Sequence, residues 1–227
     1  MQYQNGSNGV IEIHFPENGQ LRSRKVVKRS NARHSGKYPS LKMQRMMQWE
    51  SPHEGNAMRL LDANPKVISF HEQPCEIIYR LNGETHSHYP DLMVKESTFS
   101  ELWEVKTERN ANEPEVVERT NLLEKALPEF GYTYRMVLAE ALACQPRLNN
   151  VKRLHKLGRK PVPIIEKEKL RQLFLLVPVL NWGLFEAQSL ATLQHVSRLI
   201  LEGYLSIDLN QPLCATSQIY SQFNTKH

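Results

Sequence analysis

Cysteine is scarce in this sequence: Cys75, Cys144 and Cys214 are far apart in a chain of 227 residues. They form neither a CxxC pair nor the Cys/His spacing of a zinc site, and an odd number does not suit a disulfide framework. We therefore expect reduced thiols and a cytoplasmic protein.

Long hydrophobic runs are also missing. The longest one, near residues 173–180, is too short to cross a bilayer and contains Pro178. Residues 1–9 are polar, so the sequence shows no secretion signal. The length suits one domain of about 150 residues and a smaller second one.

Neither sign of charge dominates the chain, but the charges are unevenly distributed. The formal net charge is +5. Residues 1–50 carry nine lysines and arginines against three acids, whereas residues 51–106 carry five against nine. A basic segment beside an acidic segment that can bind cations is what a polyanionic substrate requires. The alternative for the basic segment is a solvated tail.

Within the acidic segment, residues 87–106 alternate in the way typical of two antiparallel strands. Because side chains change face at each residue, Glu104 and Lys106 share one face and Val105 points into the opposite layer. A short connection folds the second strand onto the first and brings Asp91 close to Glu104. Carboxylates this close repel unless a cation lies between them. We therefore predict a Mg²⁺ site, in which Mn²⁺ can substitute.

The spacing of these residues, Pro90-Asp91, twelve residues, then Glu104-Val105-Lys106, resembles the motif of the PD-(D/E)xK nuclease superfamily. The resemblance implies a restriction-endonuclease-like fold and metal-dependent cleavage of DNA. The alternative interpretation of the same residues is a hairpin whose charges simply face solvent.

Periodicity predicts an α/β domain around this hairpin. In chain order we expect a helix over 51–64, strands over 67–70 and 75–81 as a pair or one bent strand, a turn at Asn82-Gly83, the hairpin, a helix over 113–130 and a strand over 132–138. This order is the αβββαβ core, with a mixed sheet, of the fold that the motif implies. We assign residues 1–163 to this nuclease domain, including its basic N-terminal arm.

Glu54 has two interpretations. In the capping box Ser51-Pro52-His53-Glu54 it only caps its own helix. It also precedes the apolar stripe of Ala57, Met58 and Leu61 by three, four and seven positions, so it leans toward the sheet and could join the carboxylates.

The basic arm, residues 22–42, interleaves its cations with serine, asparagine, glycine and Tyr38, which fits contacts to the phosphates of DNA. The candidate DNA-binding residues are Arg24, Lys25, Lys28, Arg29, Arg33, Lys37 and Lys42. A second basic cluster covers residues 149–160. His86 and His88 are expected to face solvent.

Pro161-Val162-Pro163 predicts a stiff connection and a domain boundary. The expected elements of residues 164–227 are helices over 166–176, 185–195 and 196–202, then hairpin strands over 203–209 and 213–220. Helices followed by a β-hairpin resemble a winged-helix module. Because its charges balance and only Arg198 decorates the second and third helices, we favour protein docking over DNA binding for this domain.

Together these features resemble TnsA, the endonuclease subunit of heteromeric cut-and-paste transposases, and the arrangement is most similar to the short TnsA proteins of bacterial CRISPR-associated transposons. The segments that carry the resemblance are residues 51–54, 67–74, 89–94 and 103–106. The resemblance implies a catalytic set of Glu54, Asp91, Glu104 and Lys106. We expect Asp91, Glu104, the Val105 carbonyl and Glu54 to hold one or two Mg²⁺ ions.

The resemblance also implies partners. A TnsA protein nicks the 5′ ends of double-stranded transposon DNA while a TnsB-like transposase cuts the 3′ ends, and its C-terminal domain contacts a TnsC-like AAA+ regulator. No membrane partner is expected. Two other functions stay open: a stand-alone restriction or repair nuclease of the same fold, and a non-catalytic DNA-binding adaptor.

Overall fold

The computed structural model describes residues 8–17, 20–23 and 35–223, and the chain divides into two units. The first consists of Lys66–Ala143 and the described residues of Met1–Met58. The second consists of Arg59–Pro65 and the described residues of Cys144–His227.

Up to Ala143 the described chain is a mixture of helices and short strands. In order these are strands β1 (Gly9–His14), β2 (Gly36–Ser40) and β3 (Arg45–Trp49), helix α1 (Pro52–Asp62), strands β4 (Ser69–Glu72), β5 (Glu76–Leu81), β6 (Glu84–His88), β7 (Leu92–Lys95) and β8 (Ser100–Lys106), helices α2 (Glu108–Ala111) and α3 (Pro114–Ala126), strand β9 (Thr133–Leu138) and helix α4 (Ala139–Leu142). A 3-10 turn, Leu127–Phe130, follows α3 and ends at Gly131, whose φ of 82° is one that glycine adopts readily.

The main sheet of the first unit is mixed and has the strand order β4-β7-β8-β9. Strand β7 is antiparallel to β4 and β8, whereas β8 and β9 are parallel. With α1 before β4, and α3 between β8 and β9, these elements follow the order α, three strands, α, strand. The fold is therefore mixed α/β, as predicted.

A second sheet, β1-β5-β6, interrupts this order. The expectation that residues 67–70 and 75–81 form a strand pair or one bent strand is wrong, because β4 and β5 lie in different sheets. The chain leaves the main sheet at Gln73, a buried residue with φ of 47°. Pro74 follows and has no N–H with which to continue the hydrogen bonds between strands. The predicted turn at Asn82-Gly83 is present, with φ of 53° and 85°.

The first strand of the predicted hairpin is also divided. Strand β6 ends at His88 and β7 begins at Leu92, so Tyr89, Pro90 and Asp91 lie between two sheets and not within one strand. Pro90 explains the break, since a proline in a strand removes a ladder hydrogen bond. Asp91 therefore lies where the chain enters the main sheet.

The core of the first unit joins both sheets to α3. The buried residues of one cluster are Val10, Cys75, Ile77, Tyr79, Leu102, Leu123, Leu127 and Tyr134. Because α3 contributes leucines to this cluster, its buried face is fixed against the sheets.

The second unit combines helices with a small sheet. Its elements are helices α5 (Arg147–Leu157) and α6 (Ile164–Leu176), strand β10 (Val179–Asn181), helices α7 (Trp182–Gln188) and α8 (Leu190–Leu201), and strands β11 (Leu205–Ile207) and β12 (Gln218–Ser221), with sheet order β10-β12-β11. The break between the last two helices is at Ser189, not near His195, because the Ser189 hydroxyl accepts a hydrogen bond from the Thr192 N–H and caps α8. Strand β10 was not expected.

The predicted domain boundary after Pro163 falls inside this second unit. Helix α5 belongs to the unit because Asn150 donates hydrogen bonds to the carbonyls of Leu209 (2.9 Å) and Gln211 (2.8 Å). The end of α5 also lies close to α8: a Cβ atom added to Gly158 would be 2.8 Å from the backbone nitrogen of Arg198. The proline-rich connection therefore joins two helices of one unit.

All three cysteines are free thiols, Cys75 buried and the other two exposed. Burial raises the pKa of the Cys75 thiol to about 12, whereas hydrogen bonds with Thr216 and Ser217 lower the pKa of Cys214 to about 7. In the described ranges, no helix has the length and apolar character needed to cross a membrane.

We expect iodoacetamide to alkylate Cys214 first in the folded protein, because the thiolate is the nucleophile. The rate should rise as the pH is raised through about 7, where Cys214 loses its proton. Peptide mass mapping after timed alkylation measures this order, with exposed Cys144 as the internal control. Modification of Cys75 at a comparable rate in folded protein would contradict it.

Candidate active site

The structure brings Asp91 and Glu104 together at one end of the β7–β8 pair. The Asp91 N–H donates to the Trp103 carbonyl (2.9 Å), and the Val105 N–H donates to Oδ2 of Asp91 (2.8 Å). Leu92 pairs with Trp103, so Asp91 and Glu104 occupy the next positions of the two strands. Both side chains are buried.

Asp91 is held among like charges. Burial raises the pKa of its carboxyl well above the ordinary value, and the charges of Glu104 and Glu54 raise it further. The Val105 N–H and the Lys106 ammonium act in the opposite direction but do not cancel this effect. A cation beside Asp91 would relieve the repulsion that the fold imposes.

Glu104 is surrounded by cationic or protonatable groups. Its Oε1 lies 2.8 Å from Nζ of Lys106 and 3.6 Å from Nη2 of Arg119, and its Oε2 lies 3.4 Å from Nε2 of His88. Burial lowers the pKa of Lys106, but the charge of Glu104 and its hydrogen bond outweigh burial and raise it overall. Lys106 is therefore a charged ammonium on the same face as Glu104, as predicted.

Glu54 makes the capping contacts that its sequence pattern predicts. Its Oε1 accepts from the Ser51 hydroxyl (2.9 Å), its Oε2 accepts from the Glu50 N–H (2.9 Å), and its own N–H donates to Ser51 Oγ (3.2 Å). Its charge nevertheless acts on Asp91. Burial raises the pKa of Glu54, and the charges of Glu50 and Glu104 add to this. Glu54 thus caps α1 and belongs electrostatically to the carboxylate group.

These residues line an open cleft of about 730 Å³. Its carboxylates are Glu50, Glu54, Asp91, Glu104, Glu113 and Glu115, and its permanent cations are Lys106 and Arg119. Six carboxylates against two cations make a negative cleft, which attracts metal ions and repels phosphates unless cations are supplied.

Residues 64–138 match the family model described as TnsA-like endonuclease, N terminal. The chain carries a TnsA-like endonuclease domain. The matched segment contains Asp91, Glu104 and Lys106 but not Glu54. No curated protein gives a significant match to the chain.

The TnsA-like domain offers hard oxygen donors suited to Mg²⁺, but not a complete cage. In residues 8–17, 20–23 and 35–223, no three His, Cys, Asp or Glu side chains form a ready metal site. Oε2 of Glu104 is buried and has no hydrogen-bond partner in the described chain, and so has capacity for a ligand. These donors fit an ion that keeps several waters, which is the habit of Mg²⁺.

Sequence reasoning missed three residues of this site. The prediction that His88 faces solvent is wrong: it is buried, and its Nε2 lies 2.9 Å from the Tyr134 hydroxyl. Tyr134 also hydrogen-bonds Arg119. His86 is partly buried and stacks on Tyr79. A signal for Arg119 did exist, since it lies three positions after buried Val116 on the core-facing stripe of α3.

The predicted DNA-binding residues are only partly described. Arg24, Lys25, Lys28, Arg29 and Arg33 lie outside the described residues. Lys37 is exposed on β2, and Lys42 is half-buried in the turn before β3. Two neighbouring cations hold the fold instead: Arg45 makes a bidentate contact with buried Glu72 (2.8 and 2.6 Å), and Nε of Arg22 lies 3.4 Å from the same carboxylate.

We expect Glu54→Gln to keep the cap of α1 but to lower cleavage about 10- to 100-fold, because it removes one negative charge from the carboxylates that we expect to hold the metal. Glutamine can still accept from the Glu50 N–H with its oxygen and can donate from its NH2 to Ser51 Oγ, so the cap is kept without the charge. The matched variant Ser51→Ala removes a capping hydroxyl and keeps every charge. Cleavage rates and thermal unfolding of both variants give the comparison, and full activity in Glu54→Gln would leave Glu54 a capping residue only.

Proposed function

We propose that this protein is the Mg²⁺-dependent endonuclease subunit of a transposase, of the CRISPR-associated transposon type, and that it nicks the 5′ ends of the element while a TnsB-like transposase cuts the 3′ ends. The observation that carries the proposal is the group of Asp91, Glu104 and Lys106 at one end of the β7–β8 pair, inside a segment that matches a TnsA-like endonuclease domain.

Asp91 and Glu104 would hold the metal, with the Val105 carbonyl and Glu54 as further ligands. Bound Mg²⁺, or Mn²⁺ in its place, supplies a more acidic water and offsets negative charge on the phosphate. Lys106, charged and 2.8 Å from Glu104, would orient the attacking water or neutralise charge that develops on a phosphate oxygen.

Arg119 is the second cation of the cleft. Its guanidinium hydrogen-bonds Tyr79 and Tyr134, but Nη2 is 3.6 Å from Glu104, outside hydrogen-bond range, and the buried Nε has no partner in the described part of the chain. An arginine with unused donors can bind two phosphate oxygens at once. We assign it to the scissile phosphate.

We extend the proposal to the folds of the two units. The order of α1, β4, β7, β8, α3 and β9, with the last two strands of the sheet parallel, supports a restriction-endonuclease-like core. In the second unit, the succession of α6, β10, α7, α8, β11 and β12 supports a winged-helix domain.

For α8 of that domain, protein docking is better supported than DNA reading. Its only arginine or lysine, Arg198, is paired with Glu202 at 2.6 Å. Leu190 on α8 and Leu176 at the end of α6 are exposed apolar side chains. We propose that these exposed apolar side chains contact a TnsC-like regulator.

Cleavage of a transposon-end duplex, with and without the TnsB-like transposase of the same element, tests the proposed function. We expect nicking at the 5′ ends only when both proteins and Mg²⁺ are present. Equally fast cleavage by the chain alone would indicate a stand-alone restriction or repair nuclease. No cleavage, together with no carboxylate-dependent Mg²⁺ binding in calorimetry, would indicate a non-catalytic adaptor.

A further inference from the structure

The second unit contains a long segment without negative charge. No acidic residue occurs between Glu140 and Glu166, whereas the same segment has six lysines and arginines. Five of these six are exposed: Arg147 at the start of α5, Lys152 and Lys156 further along it, and Arg159 and Lys160 directly after it. We call the last four, Lys152, Lys156, Arg159 and Lys160, the α5 stripe.

The geometry of α5 keeps Lys152 and Lys156 on its outer face. Leu148, Val151 and Leu154 bury the opposite face, and the hydrogen bonds of Asn150 to the carbonyls of Leu209 and Gln211 fix its rotation. Lys152 and Lys156 are four positions apart on the helix, so they lie on one face. Arg159 and Lys160 follow the end of the helix at Leu157.

The stripe differs from three neighbouring cations of its unit, because those three are neutralised by acidic side chains. Arg153 pairs with Glu186, and on α6 Lys169 and Arg171 pair with Glu166 and Glu168. In the described chain, none of the four stripe residues forms an ion pair with an acidic side chain. Like charges at this spacing destabilise a helix, so the stability of α5 does not account for them.

We propose that the α5 stripe binds the phosphate backbone of duplex DNA, an inference that rests on the proposed function for the presence of DNA. Within the stripe, Lys152 and Lys156 are four helical positions apart, about 6 Å at 1.5 Å per residue. Duplex DNA presents about one charge per 1.7 Å of its axis, so several phosphates lie within this length. A protein partner would need apolar or aromatic anchors, and the stripe consists of cations alone. The contact holds DNA without reading its sequence.

The test measures binding of a random-sequence duplex to the full chain carrying Asp91→Ala, in EDTA, over a range of salt concentrations. The double variant Lys152→Gln, Lys156→Gln should bind the duplex about tenfold more weakly. Its plot of log affinity against log salt concentration should be less steep by about 1.8, the value for two lost phosphate contacts. Lys169→Gln with Arg171→Gln is the matched control. It removes the same charge from ion pairs and should change neither quantity.

Three results would overturn the proposal: an unchanged salt slope in the stripe variant, an equal effect in the control, or no binding of duplex at any salt concentration. Preferential binding of polyglutamate through the same residues would show an acidic protein partner and would also overturn it. Because cleavage is not measured here, an unchanged slope leaves the proposed nuclease function standing. Thermal unfolding verifies that both double variants are folded.

Discussion

Asp91→Asn is expected to lower the rate of DNA cleavage at least about a hundredfold, the cost of removing one preorganised electrostatic group from an active site. Asparagine keeps the shape of the side chain and can still accept the hydrogen bond of the Val105 N–H. Asp91→Ala should be equally inactive but less stable, because it leaves this buried donor without a partner, at a cost of about 1–3 kcal/mol. Single-turnover cleavage of an end duplex measures both.

Lys106→Ala should lose activity to a similar degree. Its matched control is Lys95→Ala, which removes an exposed lysine from β7 of the same sheet. Wild-type cleavage by either Asp91→Asn or Lys106→Ala would refute the assignment of the site.

Thermal unfolding in EDTA separates the loss of chemistry from the loss of fold. Burial, Glu104 and Glu54 raise the pKa of Asp91 in the folded state, so stability is lost as the pH rises through that value. Asparagine does not ionise, so the Asp91→Asn variant does not lose stability in this way. Near pH 8 the Asp91→Asn variant should therefore unfold at the same temperature as wild type or higher, and Mg²⁺ should raise only the wild-type value.

The arrangement of Asp91, Glu104 and Lys106 could be predicted from the sequence because it depends on local rules. Strand alternation puts Glu104 and Lys106 on one face, and a short connection returns one strand to the other. The place of Glu54 in the catalytic set came from the family resemblance, whereas its capping contacts also follow from a local pattern. Such features need no knowledge of the distant chain.

The remaining features of the site depend on contacts between distant segments. His88 and Tyr134 are 46 positions apart, and both lie in strands that could equally have faced solvent. Arg22 lies in the arm that composition assigned to phosphate contacts, but it engages buried Glu72, as Arg45 does. Composition records the charge of a residue and not its partner.

Arg119→Ala should lower kcat about a hundredfold or more and change KM much less, because the guanidinium acts on charge that develops at the phosphate. Arg119→Lys should recover only part of the rate, since lysine is a point charge without the planar fork. Arg109→Ala, which removes an exposed arginine from nearby α2, is the matched control and should cleave normally.

A merely structural role for Arg119 predicts a different pattern. Arg119 hydrogen-bonds Tyr134, so if holding this tyrosine were its function, Tyr134→Phe would reduce cleavage as much as Arg119→Ala does. We expect instead that Tyr134→Phe retains most of the cleavage rate, because it leaves both cleft cations in place. Equal losses in the two variants, or full activity in Arg119→Ala, would remove Arg119 from the proposed chemistry and leave Lys106 as its only cation.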